Sequence, residues 1–256
     1  MPFVIQACSP VDSPGLGAAM IKSRLTDPHW VFMWEDNVPA EEMISRSTDR
    51  IPWNLVNGRD TKRHEKVIDD TTGQVLGYAR WLLPPNLAKR NDVWLEAQAQ
   101  DGTPEERATY EKLSDATSRN GQPIGLKGGE QSRYRNAPLE AADERVTKNE
   151  NFLGKSYPYY HFRVRNIQTD DLYSALDYLT THPDFWRQGV GSMLVKSGLD
   201  VADQYGLKTY VMSEPAALKL YLNFGFQLIE TVSTDYSQFG GKEPMVHYFL
   251  TREPVT

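Results

Sequence analysis

The sequence predicts an α/β protein, and three observations carry that expectation. Residues 64–83 read as a β-hairpin, the C-terminal stretch from Tyr173 alternates β, α, β, α, β, β, and a polar segment without a usable period separates the two. At 256 residues, 39% hydrophobic and 24% charged, the composition is that of a globular chain and excludes collagen-like, low-complexity and wholly disordered classes. The length accommodates one enlarged domain or two. No repeat at solenoid or propeller period is present.

In chain order, Phe3 to Ala7 is a short apolar run that suits a first strand. Ser13-Pro14 supplies an N-cap and a proline in the first turn, after which Leu16, Met20, Ile21 and Leu25 recur at helical spacing. A second helix begins at Pro39 and carries Met43 and Ile44. Lys66-Val67-Ile68 and Val75 to Leu83 flank Asp69-Asp70-Thr71-Thr72-Gly73, the turn chemistry of a hairpin. Pro84-Pro85 ends it.

Residues 85–157 read as a helical and irregular insertion within a single domain spanning 1–256. Thr103-Pro104-Glu105-Glu106 is a capping box that starts a helix to Ala116, Gly121 to Arg135 reads as loop or disorder, and a further helix starts at Pro138. Beyond the insertion, Tyr173 to Thr181 is a strand and Val190 to Tyr205 a helix closed by Gly206. Lys208 to Met212 is a strand, Pro215 to Asn223 a short helix ended by Gly225, and Phe226 to Val232 and Met245 to Leu250 are the last strands.

The formal charge of -6 disfavours a nucleic-acid partner and suits cationic small molecules better. A single cysteine, Cys8, excludes an internal disulfide and a cysteine-based zinc site, so a cytoplasmic location is the default. No run of about 18 apolar residues is present, so no membrane span is expected. The five histidines show no metal spacing, and no metal is expected.

The most informative unit is a strand followed by the turn Arg187-Gln188-Gly189-Val190-Gly191-Ser192, which opens a helix. Glycines here allow close backbone approach, and free amides at the positive end of a helix can hold a pyrophosphate. The turn lacks the Gly-Lys-Ser/Thr of a nucleoside-triphosphate loop and the G-x-x-G continuation of a dinucleotide fingerprint. Downstream, Leu220-Tyr221 precedes Phe224-Gly225-Phe226.

With His182-Pro183 at the strand's end, these three pieces resemble the GNAT superfamily of acyl-CoA N-acyltransferases, in a fungal-type small-molecule form carrying a helical insertion. The resemblance extends to the hairpin 64–83 and the helices before it, and does not cover 85–157. It implies a mixed, mostly antiparallel sheet, splayed near the 173–181 strand where acyl-CoA enters, with helices on both faces. The family's Q/R-x-x-G-x-G/A turn falls on Trp186 to Gly191, a departure at Trp186 for which Arg187 or Gln188 can compensate. The resemblance implies that Arg187, Gln188, Gly189, Val190, Gly191 and Ser192 hold acetyl-CoA or another acyl-CoA. It also implies that the backbone of Leu179, Thr180 and Thr181 pairs with the pantetheine arm. Tyr221 matches the tyrosine that protonates the departing thiolate.

By period 2, Tyr173, Ala175, Asp177 and Leu179 share one strand face, and Asp177 is its only carboxylate. Asp177 is therefore the candidate base, against the alternative of an aspartate paired with a neighbouring basic group. Glu214 is a candidate substrate contact or simply a helix-start acid, and Trp34 and Trp81 are candidate acceptor-pocket walls or core aromatics. The expected function is acetyl transfer from CoA to a primary amine of a small molecule, by a monomer or homodimer. The competing readings are a non-catalytic CoA-binding or partner-binding module and acylation of a protein amine or a hydroxyl.

Overall fold

A computed structural model describes residues 2–90, 92–119, 122–149 and 173–255. Proline marks most of the helix starts, because its fixed φ suits the first turn and its missing N–H is not needed there. After strand β1 (Phe3–Ala7) come α1 (Ser13–Arg24), α2 (Pro28–Phe32) and α3 (Ala40–Val56), the first two with proline in the opening turn and α3 capped by Pro39. The hairpin β2 (Lys62–Asp69) and β3 (Val75–Leu82) closes where the Asp69 carboxylate accepts from the amides of Thr71 and Thr72 and Gly73 adopts φ 74°.

Within the insertion, α4 (Pro85–Ala88) and α5 (Pro104–Ala116) again begin on proline, and the Thr103/Glu106 capping box of α5 is formed as its sequence predicts. A two-residue pairing of β4 (Ser118–Arg119) with β5 (Gln122–Pro123) precedes α6 (Gly129–Asn149). That helix corrects the expectation of a loop over Gly121 to Arg135. It starts nine residues before Pro138 and contains that proline, and its first turns bury Ser132 and Arg135 in place of apolar residues, so no hydrophobic period announces them. The rest of the chain is β6 (Tyr173–Thr181), α7 (Val190–Gln204), β7 (Lys208–Ser213), α8 (Pro215–Asn223), β8 (Gln227–Thr234) and β9 (Met245–Arg252).

One seven-stranded sheet runs β1-β2-β3-β6-β7-β9-β8, antiparallel throughout except between β6 and β7. Those two parallel strands pair only from Tyr173/Lys208 to Ala175/Tyr210 and then diverge. On one face, α7 and α8 bury Val190, Leu194 and Tyr221 against Leu76, Ala79 and Leu176. On the other, α1 and α3 set Leu16, Ala19, Ile51 and Leu55 over Val75 and Tyr78. The insertion helix α6 covers the far half of that second face, with Ala142 and Val146 on Tyr210, Val232 and Phe249. The face carrying α1, α3 and α6 is thus divided at the β6/β7 divergence.

Candidate active site

The cleft opens where β6 and β7 part. It encloses about 700 Å³ and is bordered by β6 from Leu176 to Thr181, the turn Phe185 to Ser192, β7 from Val211, the first turns of α8 and the end of α1. Beyond Ala175 the β7-facing edge of β6 has no strand partner among the described residues, which leaves a sheet edge open to an extended ligand.

The start of α7 has the backbone geometry of a turn that can receive an anion. Gly189 is its N-cap at φ 89°, a left-handed conformation glycine adopts freely, and a Cβ there would meet nothing within 4 Å, so the approach is open. Arg187 is also left-handed, at φ 61°, and two such residues within three positions curl successive amides towards one side. The first amides of α7 have no intrahelical acceptor and lie at the positive end of a 15-residue helix. Gly191 lies in ordinary contact range of Thr181 and Leu220, so the turn sits between the end of β6 and α8.

Trp186, where the motif departs, is 44% exposed, and its indole Nε1 donates to the Thr181 carbonyl at 2.8 Å. The side chain thus ties the turn to the end of β6. Gln188 Nε2 donates to the Asp184 carbonyl at 3.0 Å, which occupies it within the turn and leaves the backbone as the cradle. His182 accepts from the Asp184 amide at Nδ1 and stacks edge-on with Phe185, a turn histidine whose burial lowers its pKa.

Tyr221, on α8, lines the cleft yet is only 3% exposed, packed edge-on against Phe226. Burial, reinforced by the nearby Glu214 charge, pushes the phenol well above its ordinary pKa, so it carries its proton at neutral pH. Glu214 caps α8 and pairs with Arg24 of α1 at 2.7 Å.

The shared face expected along Tyr173, Ala175, Asp177 and Leu179 is broken. A bulge pairs Arg80 with Tyr178 and Trp81 with Leu176, which leaves Asp177 as the extra residue. Leu176 and Leu179 therefore pack towards α7, whereas Asp177 pairs with Arg80 and Tyr178 packs in the α1/α3 cluster. Asp177 does line the cleft, but its side chain is 4% exposed and Arg80 Nε donates to its Oδ2. Burial lowers and the Asp177 charge raises the Arg80 pKa, and the net displacement is upward.

Neither tryptophan offered as an acceptor wall borders the cleft. Trp81 is fully buried on the α7 face, against Gly198 and Trp94, and Trp34 is buried beside Trp30 near Gly125. Trp81 is a core aromatic because its strand face points at α7, and Trp34, just beyond α2 in an isolated bridge to Leu126, packs into the cluster with Trp30 and Met43. Two cations that sequence reasoning overlooked bear on the cleft: Arg24, which lines it, and Arg80, which pairs with the lining residue Asp177. Arg80 carried a readable signal, since it is two residues from Tyr78 on the same face of a strand that is otherwise apolar or small.

Among the described residues no cluster of three or more His, Cys, Asp or Glu side chains is arranged to hold a metal, and no helix is long and apolar enough to cross a membrane.

Residues 153–226 match the acetyltransferase (GNAT) family model, a segment that includes β6, α7, β7 and α8 and therefore both walls of the cleft. That segment is similar to the acetyltransferase (GNAT) family. A sequence search of curated proteins finds no match. Among solved structures, this chain is similar to a histone acetyltransferase and related acetyltransferase from Corynebacterium glutamicum, at 12% identity, with 100% of this chain and 98% of that chain covered and a TM-score of 0.53. It is also similar to a polyamine N-acetyltransferase from Drosophila melanogaster, at 11% identity, 98% and 100% coverage and a TM-score of 0.51. At these identities the likeness is one of fold, and it places the GNAT sheet and its divergence on this chain. The GNAT fold binds acetyl-CoA and its members transfer acetyl groups, which matches an open left-handed turn, an unpaired strand edge and a protonated phenol in one cleft.

Proposed function

We propose that this protein transfers an acetyl group from acetyl-CoA to a primary amine of a small molecule. The observation that carries this reading is the convergence of the Gly189 turn, the free edge of β6 and the buried Tyr221 hydroxyl on one cleft of about 700 Å³. Acetyl-CoA supplies the activated thioester. The amides of Val190, Gly191 and Ser192 bind its pyrophosphate, and Leu179, Thr180 and Thr181 offer their backbone to the pantetheine arm.

Tyr221 donates its phenolic proton to the sulfur as the carbon–sulfur bond breaks and the carbon–nitrogen bond forms. Asp177, fixed by Arg80, takes a proton from the incoming ammonium through an intervening water. The ammonium loses two protons in all. One replaces the proton that Tyr221 gave to sulfur, and the other leaves to solvent.

The reading favours a small molecule because α1 and α3 on one side and α6 on the other pack over the face opposite α7. Calorimetric titration with acetyl-CoA and thiol release over a broad amine panel test it. Micromolar binding with thiol release from at least one amine is expected. No binding at high micromolar acetyl-CoA sinks the reading, and binding without release on any amine marks a CoA-binding module.

A further inference from the structure

The chain has six tryptophans, and folding covers five of them at least in part. Trp30, Trp34, Trp81 and Trp94 are buried in the hydrophobic clusters, and Trp53 lies half-buried beneath the Arg107 guanidinium at 5.8 Å. Trp186 is the exception: it is 44% exposed, and it borders the cleft. An indole left in water forgoes a large part of the burial energy that its size makes available, and a flat ligand laid on it restores that energy.

The ring is also held in place. Its Nε1 donates to the carbonyl of Thr181, the last residue of β6, at 2.8 Å, which engages one edge of the indole and leaves much of its surface open. A glutamine or arginine, the residue that the family resemblance implies here, could reach the same carbonyl without presenting an aromatic surface. The tie to Thr181 therefore does not by itself account for a tryptophan. A surface fixed before binding costs little entropy when a ligand meets it.

Position decides which ligand group that is. Trp186 lies three residues before Gly189, so chain length alone keeps it within about 11 Å of the first amides of α7. Thr181 also neighbours that turn, since a Cβ on Gly191 would sit 3.4 Å from its Oγ1. The indole and the amide cradle thus adjoin through Thr181. Arg187 and Lys219 border the same cleft, are exposed, and have no ion-pair partner among the described residues. Positive charge and an aromatic surface together are what a phosphorylated nucleoside requires.

We propose that Trp186 is the stacking platform for the adenine of acetyl-CoA, with the pyrophosphate on the first amides of α7 one ribose away and Arg187 and Lys219 beside the ribose phosphate. The inference rests on the acetyl-transfer reading and assigns the nucleotide end of its co-substrate in the same cleft. Adenine is the planar ring of acetyl-CoA, and the rest of that molecule is sugar, phosphate and flexible chain.

Calorimetry with three ligands tests the assignment: acetyl-CoA, S-acetyl-dephospho-CoA, which keeps the base, and S-acetyl-phosphopantetheine, which lacks the nucleoside. Trp186→Ala is expected to weaken the first two by at least about tenfold, the loss that follows when one base is deprived of one aromatic partner, and to leave the third within about twofold. Trp186→Phe keeps a ring and removes the bond to Thr181, so it is expected to retain most of the affinity. Acetyl-CoA is also expected to quench indole emission in the unsubstituted protein and not in Trp186→Phe, because no other described tryptophan borders the cleft. Melting temperatures check that both variants are folded. Unchanged acetyl-CoA affinity in Trp186→Ala or undiminished emission overturns the assignment. An equal loss on all three ligands, or a Trp186→Phe protein as weak as Trp186→Ala, overturns it as well, by marking the indole as a brace for the turn. Each of those results leaves acetyl-CoA binding and the acetyl-transfer reading in place. No binding of acetyl-CoA by the unsubstituted protein fails that reading instead.

Discussion

Arg24, the last residue of α1, donates to Glu214, the residue that caps α8, at 2.7 Å across 190 positions of sequence. Glu214 would ordinarily turn its carboxylate to the amides of its own helix, but no such cap bond forms. The pair joins the N-terminal helices to the element that carries Tyr221, at the rim of the cleft. Although Glu214 is 39% exposed, the Arg24 side chain is 15% exposed and lies over the Tyr178 ring, so Arg24→Ala is expected to cost about 2 kcal/mol of stability. It is expected to lower kcat/KM on the order of tenfold through mispositioning of α8. Denaturant melts and steady-state kinetics check the two halves, and a stability loss without a kinetic one refutes the positioning role.

Tyr221→Phe keeps the ring packing against Phe226 and removes the only atom the acid role needs. Turnover is expected to fall on the order of 10²-fold while acetyl-CoA affinity stays unchanged. An unchanged rate removes Tyr221 from the reaction.

Asp177→Asn leaves Arg80 without its carboxylate partner in a pair whose side chains are 4% and 17% exposed. A loss of about 3 kcal/mol is expected in urea unfolding at neutral pH, and Arg80→Met combined with Asp177→Leu is expected to recover most of it. A single substitution that leaves the midpoint in place contradicts the pairing.

Gly198 sits on α7 directly over Trp81, and a Cβ at that position would overlap the indole ring. Gly198→Ala is expected to destabilise by about 2 kcal/mol despite the better helix propensity of alanine, and a smaller residue at Trp81 should restore part of it. Thermal melts of the single and double variants decide this. Stabilisation by the single change shows that the helix can move away.

Glu65 of β2 is buried against α7, where Ser197 Oγ donates to it at 2.8 Å, and burial pushes its pKa up from 4.5 to about 7. A raised folded-state value means that the native state binds more protons than the unfolded chain between those limits. The associated stability is complete below pH 4.5 and is lost as pH rises through about 7. The loss is about 3 kcal/mol for a shift of this size. Glu65→Gln mimics the protonated acid, so its stability relative to the unsubstituted protein should rise from pH 4.5 to 8, as read by unfolding midpoints. A difference that does not vary with pH excludes the buried-acid account.

The order of the C-terminal elements and the glycine turn at Arg187 to Ser192 were legible because each rests on local chemistry. Proline at a helix start, Gly206 and Gly225 after helix ends, and a capping box at Thr103 act within a few residues, and the structure shows each of them. The start of α6 was not legible, since a helix that buries Ser132 and Arg135 shows no apolar stripe. The faces of β6 were not legible either. A period-2 reading assumes unbroken pairing, and the extra residue at Asp177 exists only in register with β3.

The sequence by itself carried the resemblance to acetyltransferases, the glycine turn before α7 and the overall acidity, because motif spacing and residue counts do not depend on which segments meet. Tertiary structure alone decided that Trp34 and Trp81 belong to the core and that Arg24 meets Glu214. It also decided that Arg50 of α3 and Lys62 of β2 lie close enough to Arg80 of β3 to feel its charge. A net charge is a sum over the whole surface, whereas a substrate meets the few charges that folding brings within a Debye length, about 10 Å, of the reacting atoms. An acidic chain can therefore still gather buried cations in one part of its fold.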